Sequence, residues 1–223
     1  MIQQTIHRID PTLLSNITLP DVDYRLALNT PTGRFFYDPW ELKPEFKNTV
    51  WEHLLATLKE PIGEARIIKL LQGTCYQSHA DIDDRYHLNI VGEQSYLIDL
   101  DDKVMHETVD KTVWYTMNTA KRHSAANFGS IARYQLVVRH LLKNNKLENP
   151  KKITVSKKSY DPSQDSRYIF DDIISPWLNY GCKNGYVGNV SSTLDTITFE
   201  VEHSVVDEFN ELVSKTKLTV NYD

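Results

Sequence analysis

The residues of this 223-residue chain whose types and spacing could do chemistry fall between His79 and Arg133. They are His79-Ala80-Asp81, Arg85-Tyr86-His87-Leu88, His123 followed by Asn127 and Gly129, and Arg133 itself. On an extended strand, residues i and i+2 project from one face, so His79 and Asp81 can hold one ion between a neutral imidazole and a carboxylate. His123 lies 44 residues after His79, enough for several strands to intervene and bring a second imidazole back to the same ion. Two histidines and one carboxylate on one side of a metal leave coordination positions open, which suits iron(II) and oxygen chemistry. Arg133 supplies a planar fork that pairs bidentately with a carboxylate. A dicarboxylate cosubstrate could therefore chelate the metal at one end and be gripped by the arginine at the other.

The first triplet by itself says little, since 8 histidines and 30 acidic residues should yield about one such match by chance. The weight lies in the ordered set, with a distal histidine and an arginine ten residues beyond it. Two points stay open at this level. Asp83 shares the strand parity of Asp81 and could serve as ligand if the strand bulged, whereas the pair His79 and Asp81 needs no distortion. His87 points inward in an alternating run, either toward the site or as a satisfied core histidine. His53, His106 and His140 have no supporting context.

These residues need a scaffold of short strands. From Thr74 to Leu141, extended runs at Cys75–Asp81, Tyr86–Val91, Ser95–Leu100, Lys103–Thr108, Thr112–Asn118, His123–Asn127 and Arg133–Val138 are separated by turn chemistry such as Gly92-Glu93 and Asp101-Asp102. This spacing fits a jelly roll, a double-stranded β-helix, better than an open sheet. Ahead of it, Ala65–Leu71 reads as a buried strand. Val50, Leu54, Leu55 and Leu58 give one helical stripe within 46–60, stopped by Pro61 and Gly63. Residues 1–44 carry five of the nine prolines and read as short extended pieces wrapped on the body. Their aromatic stretch Arg34–Trp40 either packs on the core or lines the mouth of the site.

Lysines 143, 146, 151, 152, 157 and 158 around Pro150 read as a solvated connector, which places a boundary near residue 145. Residues 1–145 form the expected oxygenase core, and 146–223 a small α+β region. Its elements are a strand (Ile153–Lys157), a helix (about Ser166–Tyr180, stopped by Gly181 and weakened by Pro176), a strand (Thr196–Val201), a helix (Val205–Lys215, capped by Ser204 with Asp207) and a strand (Leu218–Tyr222). Packing, partner contact or homodimer formation is its expected work.

The chain is long enough to bury a substantial core without metal or disulfides. A formal net charge of -5 with mixed signs argues against nucleic-acid binding. Cys75 and Cys182 form no disulfide scaffold or thiolate zinc pattern, and no run reads as a secretory signal or membrane span. The expectation is a cytoplasmic protein acting on a small molecule or a peptide.

Over roughly residues 66–138 the chain resembles the aspartyl/asparaginyl β-hydroxylase-like branch of the iron(II) and 2-oxoglutarate-dependent dioxygenases. The matching residues are His79-x-Asp81, Arg85-x-His87-Leu88, Trp114-Tyr115, His123 with Asn127 and Gly129, and Arg133. The resemblance implies a mainly β, cupin-like double-stranded β-helix with iron held by His79, Asp81 and His123. It further implies that Arg133 binds the distal carboxylate of 2-oxoglutarate, with Arg85 and His87 near the cosubstrate or a substrate carboxylate. The implied reaction uses O2 to hydroxylate an amino-acid side chain, free or within a peptide, and releases succinate and CO2. Two other readings keep the same barrel: a binding or scaffold protein without turnover, and a cupin-like metalloenzyme of another reaction class.

Overall fold

Branched and aromatic residues at alternate positions give the middle of the chain its strands, and these pair antiparallel throughout the computed structural model, which describes residues 2–159, 170–216 and 218–223. In chain order the strands are β1 (Ile2–Arg8), β2 (Arg25–Ala27), β3 (Asn29–Pro31), β4 (Trp40–Leu42), β5 (Ile62–Leu70), β6 (Thr74–Cys75), β7 (Arg85–Val91) and β8 (Ser95–Asp99). They continue as β9 (Val104–Glu107), β10 (Val113–Met117), β11 (His123–Asn127), β12 (Arg133–His140), β13 (Pro150–Ser159), β14 (Val187–Ser192), β15 (Thr196–Glu202) and β16 (Leu218–Tyr222). Among the described residues, four α-helices accompany them: α1 (Pro11–Ser15), α2 (Val50–Ala56), α3 (Ser175–Asn184) and α4 (Val206–Ser214).

Strands β5 to β12 alternate between two sheets, apart from the hairpin β8–β9, which stays within one. One has the order β1-β10-β7-β12-β5-β2 and the other β6-β11-β8-β9. Successive strands crossing between facing antiparallel sheets make a jelly roll, the double-stranded β-helix. The expected runs at 86–91, 95–100, 103–108, 112–118, 123–127 and 133–138 all appear as strands within a residue or two of those bounds. The exception is the run Cys75–Asp81. Only Thr74 and Cys75 form a strand there, and the chain then continues as a loop joined to β11 by the Tyr76 amide, which donates to the Ala125 carbonyl at 2.7 Å, and by an isolated bridge at His79.

The outer face of the larger sheet is sealed by α2 and the N-terminal wrap. Trp51, Leu54, Leu55 and Leu58 pack with Ile67, Leu88, Trp114 and Leu136 into one apolar cluster. Helix α2 starts where the Thr49 hydroxyl accepts from the Trp51 amide. The wrap also contains β1, which the sequence did not announce and which pairs with β10 as the sheet's sixth strand.

A second sheet, β14-β15-β13-β16, carries α3 and α4. Ile153, Val155, Phe199 and Val201 fill its inner face against Trp177, Leu178 and Phe209. The lysine-rich connector is thus corrected. Pro150–Ser159 is a strand inside this sheet, where buried Ile153 and Val155 alternate with solvent-facing neighbours. The reading of Gly181 as a helix stop is also corrected. Gly181 lies inside α3, where a Cβ would collide with Val187, and the helix ends at Gly185 in a left-handed conformation (φ 92°). Pro176 sits in the first turn of α3, which tolerates it, behind a π-helical turn at Phe170–Ile174. No side chain caps α4, so the pairing of Ser204 with Asp207 is not formed. The expected helix start at 166–169 lies outside the described residues. The aromatic stretch takes the packing role: Phe36 and Tyr37 are buried in the second cluster, and the Val190 amide donates to the Tyr37 hydroxyl at 2.7 Å.

Candidate metal centre

The loop after β6 and the start of β11 bring three ligand side chains together. His79 and His123 form a two-way backbone bridge, with amides donating to each other's carbonyls at 3.1 and 2.9 Å. Two residues on, the Asp81 amide donates to the Thr119 carbonyl at 2.8 Å, which keeps the loop extended enough for His79 and Asp81 to face one point. The i, i+2 argument therefore holds in a loop pinned by backbone bonds, although no regular strand is present. One atom each from His79, Asp81 and His123 lies within 4.8 Å of the others.

Their protons are arranged for a cation. Nδ1 of His79 lies 2.9 Å from the Gln77 carbonyl, and Nδ1 of His123 lies 2.9 Å from the Lys121 carbonyl. A carbonyl only accepts, so each Nδ1 carries the proton and each Nε2 is left with a bare lone pair. Both Nε2 atoms lie 3.7 Å from Oδ2 of Asp81. Lone pairs and a carboxylate facing one another without a proton between them form a donor set that a divalent metal satisfies. Burial pushes the His123 imidazole down to about 4, so it remains neutral and able to ligate well below physiological pH. Burial works to raise the Asp81 carboxyl, but the Arg85 guanidinium and then the two histidines outweigh it, holding the group well below the usual carboxylate range.

The structure brings Asp81, not Asp83, to the histidines. Asp83 is buried and engaged elsewhere: Arg139 Nη1 donates to both of its oxygens at 2.8 and 2.9 Å. Arg85 lies between the two acids, forming ion pairs with Asp81 at 3.0 Å and Asp83 at 2.5 Å. Its guanidinium thus braces the ligand carboxylate, while its side chain also lines the cleft beside it.

That cleft lies between the two jelly-roll sheets and opens to solvent at its mouth. Arg133, Gln135 and Val137 of β12, Arg66 and Ile68 of β5, and His87 of β7 line one side; Leu97 of β8 and Ser124 of β11 line the other. Arg133 is 2% exposed, and its Nε and Nη2 have no hydrogen-bond partner among the described residues. Burial alone pushes it down to about 9. His87 Nδ1 donates to Gln135 Oε1 at 3.1 Å, while its Nε2 has no partner among the described residues, and burial pushes the imidazole down to about 3.

Arg133 owes its position to the β11–β12 turn. Asn127 Nδ2 donates to the carbonyls of Leu70 and Ile131, and its Oδ1 accepts from the Gly129 amide. Gly92, at φ 135°, leaves the space beside Arg133 where a Cβ would press at 3.2 Å. Trp114 and Tyr115 are fully buried core residues and take no place in the cleft.

Sequence reasoning missed Arg66, Gln135 and Asp171. Arg66 pairs with Glu64 at 2.7 Å and lines the cleft. Gln135 lies two residues from Arg133 on β12, and that shared strand parity was a signal that could have found it. Asp171 comes from the C-terminal region, and no spacing pattern connects it to the site. It joins Tyr76, Gln77, Ser78, His79 and Asp81 around an outer cavity of about 600 Å³, counted to its mouth.

Among the described residues no helix is long and apolar enough to cross a membrane. No protein-family model matches the chain, and no curated protein matches it. Among solved structures it is similar to the crystal structure of an oxidoreductase of the 2OG-Fe(II) oxygenase family from Burkholderia pseudomallei, at 10% identity over 58% of this chain and 74% of that chain, with a TM-score of 0.37.

Proposed function

We propose that the protein is an iron(II)- and 2-oxoglutarate-dependent dioxygenase, of the aspartyl/asparaginyl β-hydroxylase-like kind, that hydroxylates an amino-acid side chain, free or in a peptide. One observation carries this reading: two proton-free imidazole nitrogens and a carboxylate converge at the rim of a cleft whose interior holds Arg133 buried without a partner. A metal site alone suits many reactions. A buried guanidinium with open donors requires an anion as well, because burying an unpaired charge is costly.

In this reading His79, Asp81 and His123 hold iron(II), which when bound supplies oxidative decarboxylation of the keto acid coupled to hydroxyl insertion. Arg133 receives the distal carboxylate of 2-oxoglutarate and so sets which end of the molecule faces the metal. The carbonyls of Gln77 and Lys121 keep the imidazole rings in the ligating tautomer, and Arg85 keeps Asp81 ionised. Ile68, Leu70, Leu97 and Val137 give the cleft apolar walls that exclude water from the reacting groups.

Succinate formation tests the reading. Protein loaded with iron(II) and given 2-oxoglutarate and O2 should produce succinate, with the rate stimulated by the right member of a panel of amino acids and short peptides. Absence of succinate across the panel, with and without added amino acid, contradicts the oxygenase reading and favours a binding role for the same barrel.

A further inference from the structure

The C-terminal region contributes a charged group to the metal site's entrance. Asp171 sits on the π-helical turn at Phe170–Ile174 and borders the outer cavity together with Tyr76, His79 and Asp81. Those last three also line the inner cleft, so the two spaces meet at Tyr76 and two of the ligands, His79 and Asp81. Asp171 is half-buried and has no ion-pair or hydrogen-bond partner among the described residues.

Among the described residues, the nearest cations make their hydrogen bonds and ion pairs with other groups, and Lys157 acts on Asp171 only through space. Lys157 donates to Ser192 Oγ and to the Thr193 carbonyl, both at 2.6 Å, and its ammonium lies over the Phe170 ring. Arg122 pairs with Asp101 at 3.1 Å and reaches the neighbouring Asp172 at 3.9 Å. Tyr76, on the same cavity lining, is backed by Tyr24 with ring planes 20° apart. A carboxylate and a tyrosine lining one cavity are complementary to a cation, through charge and through the ring face. The inner cleft has the opposite bias, with the guanidiniums of Arg66, Arg85 and Arg133 on its walls.

We propose that Asp171 is a specificity-determining residue, and that the outer cavity receives a cationic group of the substrate, an ammonium or guanidinium, held between Asp171 and Tyr76. This rests on the oxygenase reading of the adjoining site. It assigns the C-terminal region a part in substrate selection, and it favours substrates with a free amino group or a basic side chain over neutral ones of the same size.

The probe is n-butylammonium, compared with n-butanol as a neutral molecule of similar length, added at pH 7.5 to anaerobic protein loaded with iron(II) and 2-oxoglutarate. At that pH the amine is protonated and has no lone pair for the metal. Ligand-detected NMR should show the cation binding at least tenfold more tightly than the alcohol. That preference should vanish in Asp171→Asn and persist in Asp172→Asn. Equal binding of cation and alcohol by the unaltered protein overturns the proposal, as does an undiminished preference in Asp171→Asn. A 2-oxoglutarate titration of the iron(II)-loaded protein, run beside the cation titration, separates the two claims. Failure of 2-oxoglutarate to bind contradicts the oxygenase reading, whereas normal 2-oxoglutarate binding without cation preference contradicts the role of Asp171.

Discussion

The two halves of the molecule use the same material, antiparallel sheet, to opposite ends. Behind the C-terminal sheet, Ile153, Val155, Phe199, Val201, Trp177 and Phe209 close into an apolar core, and the Trp177 indole donates to Glu208 at 3.0 Å. Between the jelly-roll sheets, the inward positions of β5, β7 and β12 hold Arg66, Arg85, His87, Arg133 and Gln135. Among the described residues, every buried side-chain nitrogen or oxygen without a hydrogen-bond partner belongs to the stretch 66–140, with the exception of Asn179 Oδ1. Buried polar atoms are ordinarily satisfied, because leaving one unmet costs roughly 1–3 kcal/mol. Several of these atoms, on Arg66, His87, Arg133 and Gln135, belong to side chains lining the one cleft. The C-terminal sheet tolerates almost none, which is what a packing unit looks like.

Substitutions can break this contrast. The largest effect is expected from His79→Ala combined with His123→Ala, which removes both imidazole ligands. Metal analysis should show loss of stoichiometric iron and turnover should fall at least 100-fold, while circular dichroism remains that of the folded protein. Next is Arg133→Met, which keeps bulk and removes the buried charge. Affinity for 2-oxoglutarate should fall about 100-fold, the scale of a lost charge-assisted pair worth about 3 kcal/mol. The melting temperature without ligand should hold or rise, since an uncompensated buried cation is gone. Added 2-oxoglutarate should raise the melting temperature of the unaltered protein but not of this variant.

Phe199→Ala should behave in the reverse way. Emptying the fully buried Phe199 position should cost about 3–5 kcal/mol by denaturant unfolding, while the folded fraction keeps its iron and 2-oxoglutarate affinity. If Phe199→Ala instead abolishes metal binding, the two regions are not separable in the way their cores suggest.

The smallest effect is in acid. His87 and His123 have folded pKa values pushed below the ordinary histidine value, to about 3 and about 4. Between pH 6.5 and those values the unfolded chain binds protons that the folded chain does not, so the metal-free protein should lose stability as pH falls through that window. His87→Gln should flatten the melting temperature against pH over the same range. A slope unchanged by that substitution would show that His87 does not remain neutral in the folded state.

Much of the jelly roll was legible because its strands are short, alternating and punctuated by turn residues, so the periodicity that defines each strand also shows which side faces the cleft. His123 and Arg133 each begin a strand, and their parity with Ala125 and Gln135 was readable before any coordinates. The loop carrying His79 and Asp81 was harder to read. Its extended shape comes from bonds to His123 and Thr119, more than 35 residues away in sequence, and no local pattern encodes them. Whether Asp81 or Asp83 would be the ligand was undecidable for the same reason, since it turns on Arg139 and Arg85 claiming Asp83. The strand Pro150–Ser159 was hidden by the lysines at its start, Lys151 and Lys152, which face solvent while Ile153 and Val155 mark the buried side. Asp171 was invisible, because it reaches the site only through the packing of a separate sheet.

The central claim is that one metal and one keto acid share the cleft, and a single titration tests it. Adding 2-oxoglutarate under anaerobic conditions to protein loaded with iron(II) should develop the visible charge-transfer absorption of a chelated keto acid, saturating at one molecule per chain. The band should be missing from the His79→Ala, His123→Ala double variant and require far more 2-oxoglutarate in Arg133→Met. If no band forms, or if it forms equally well in the double variant, the site is not the one described.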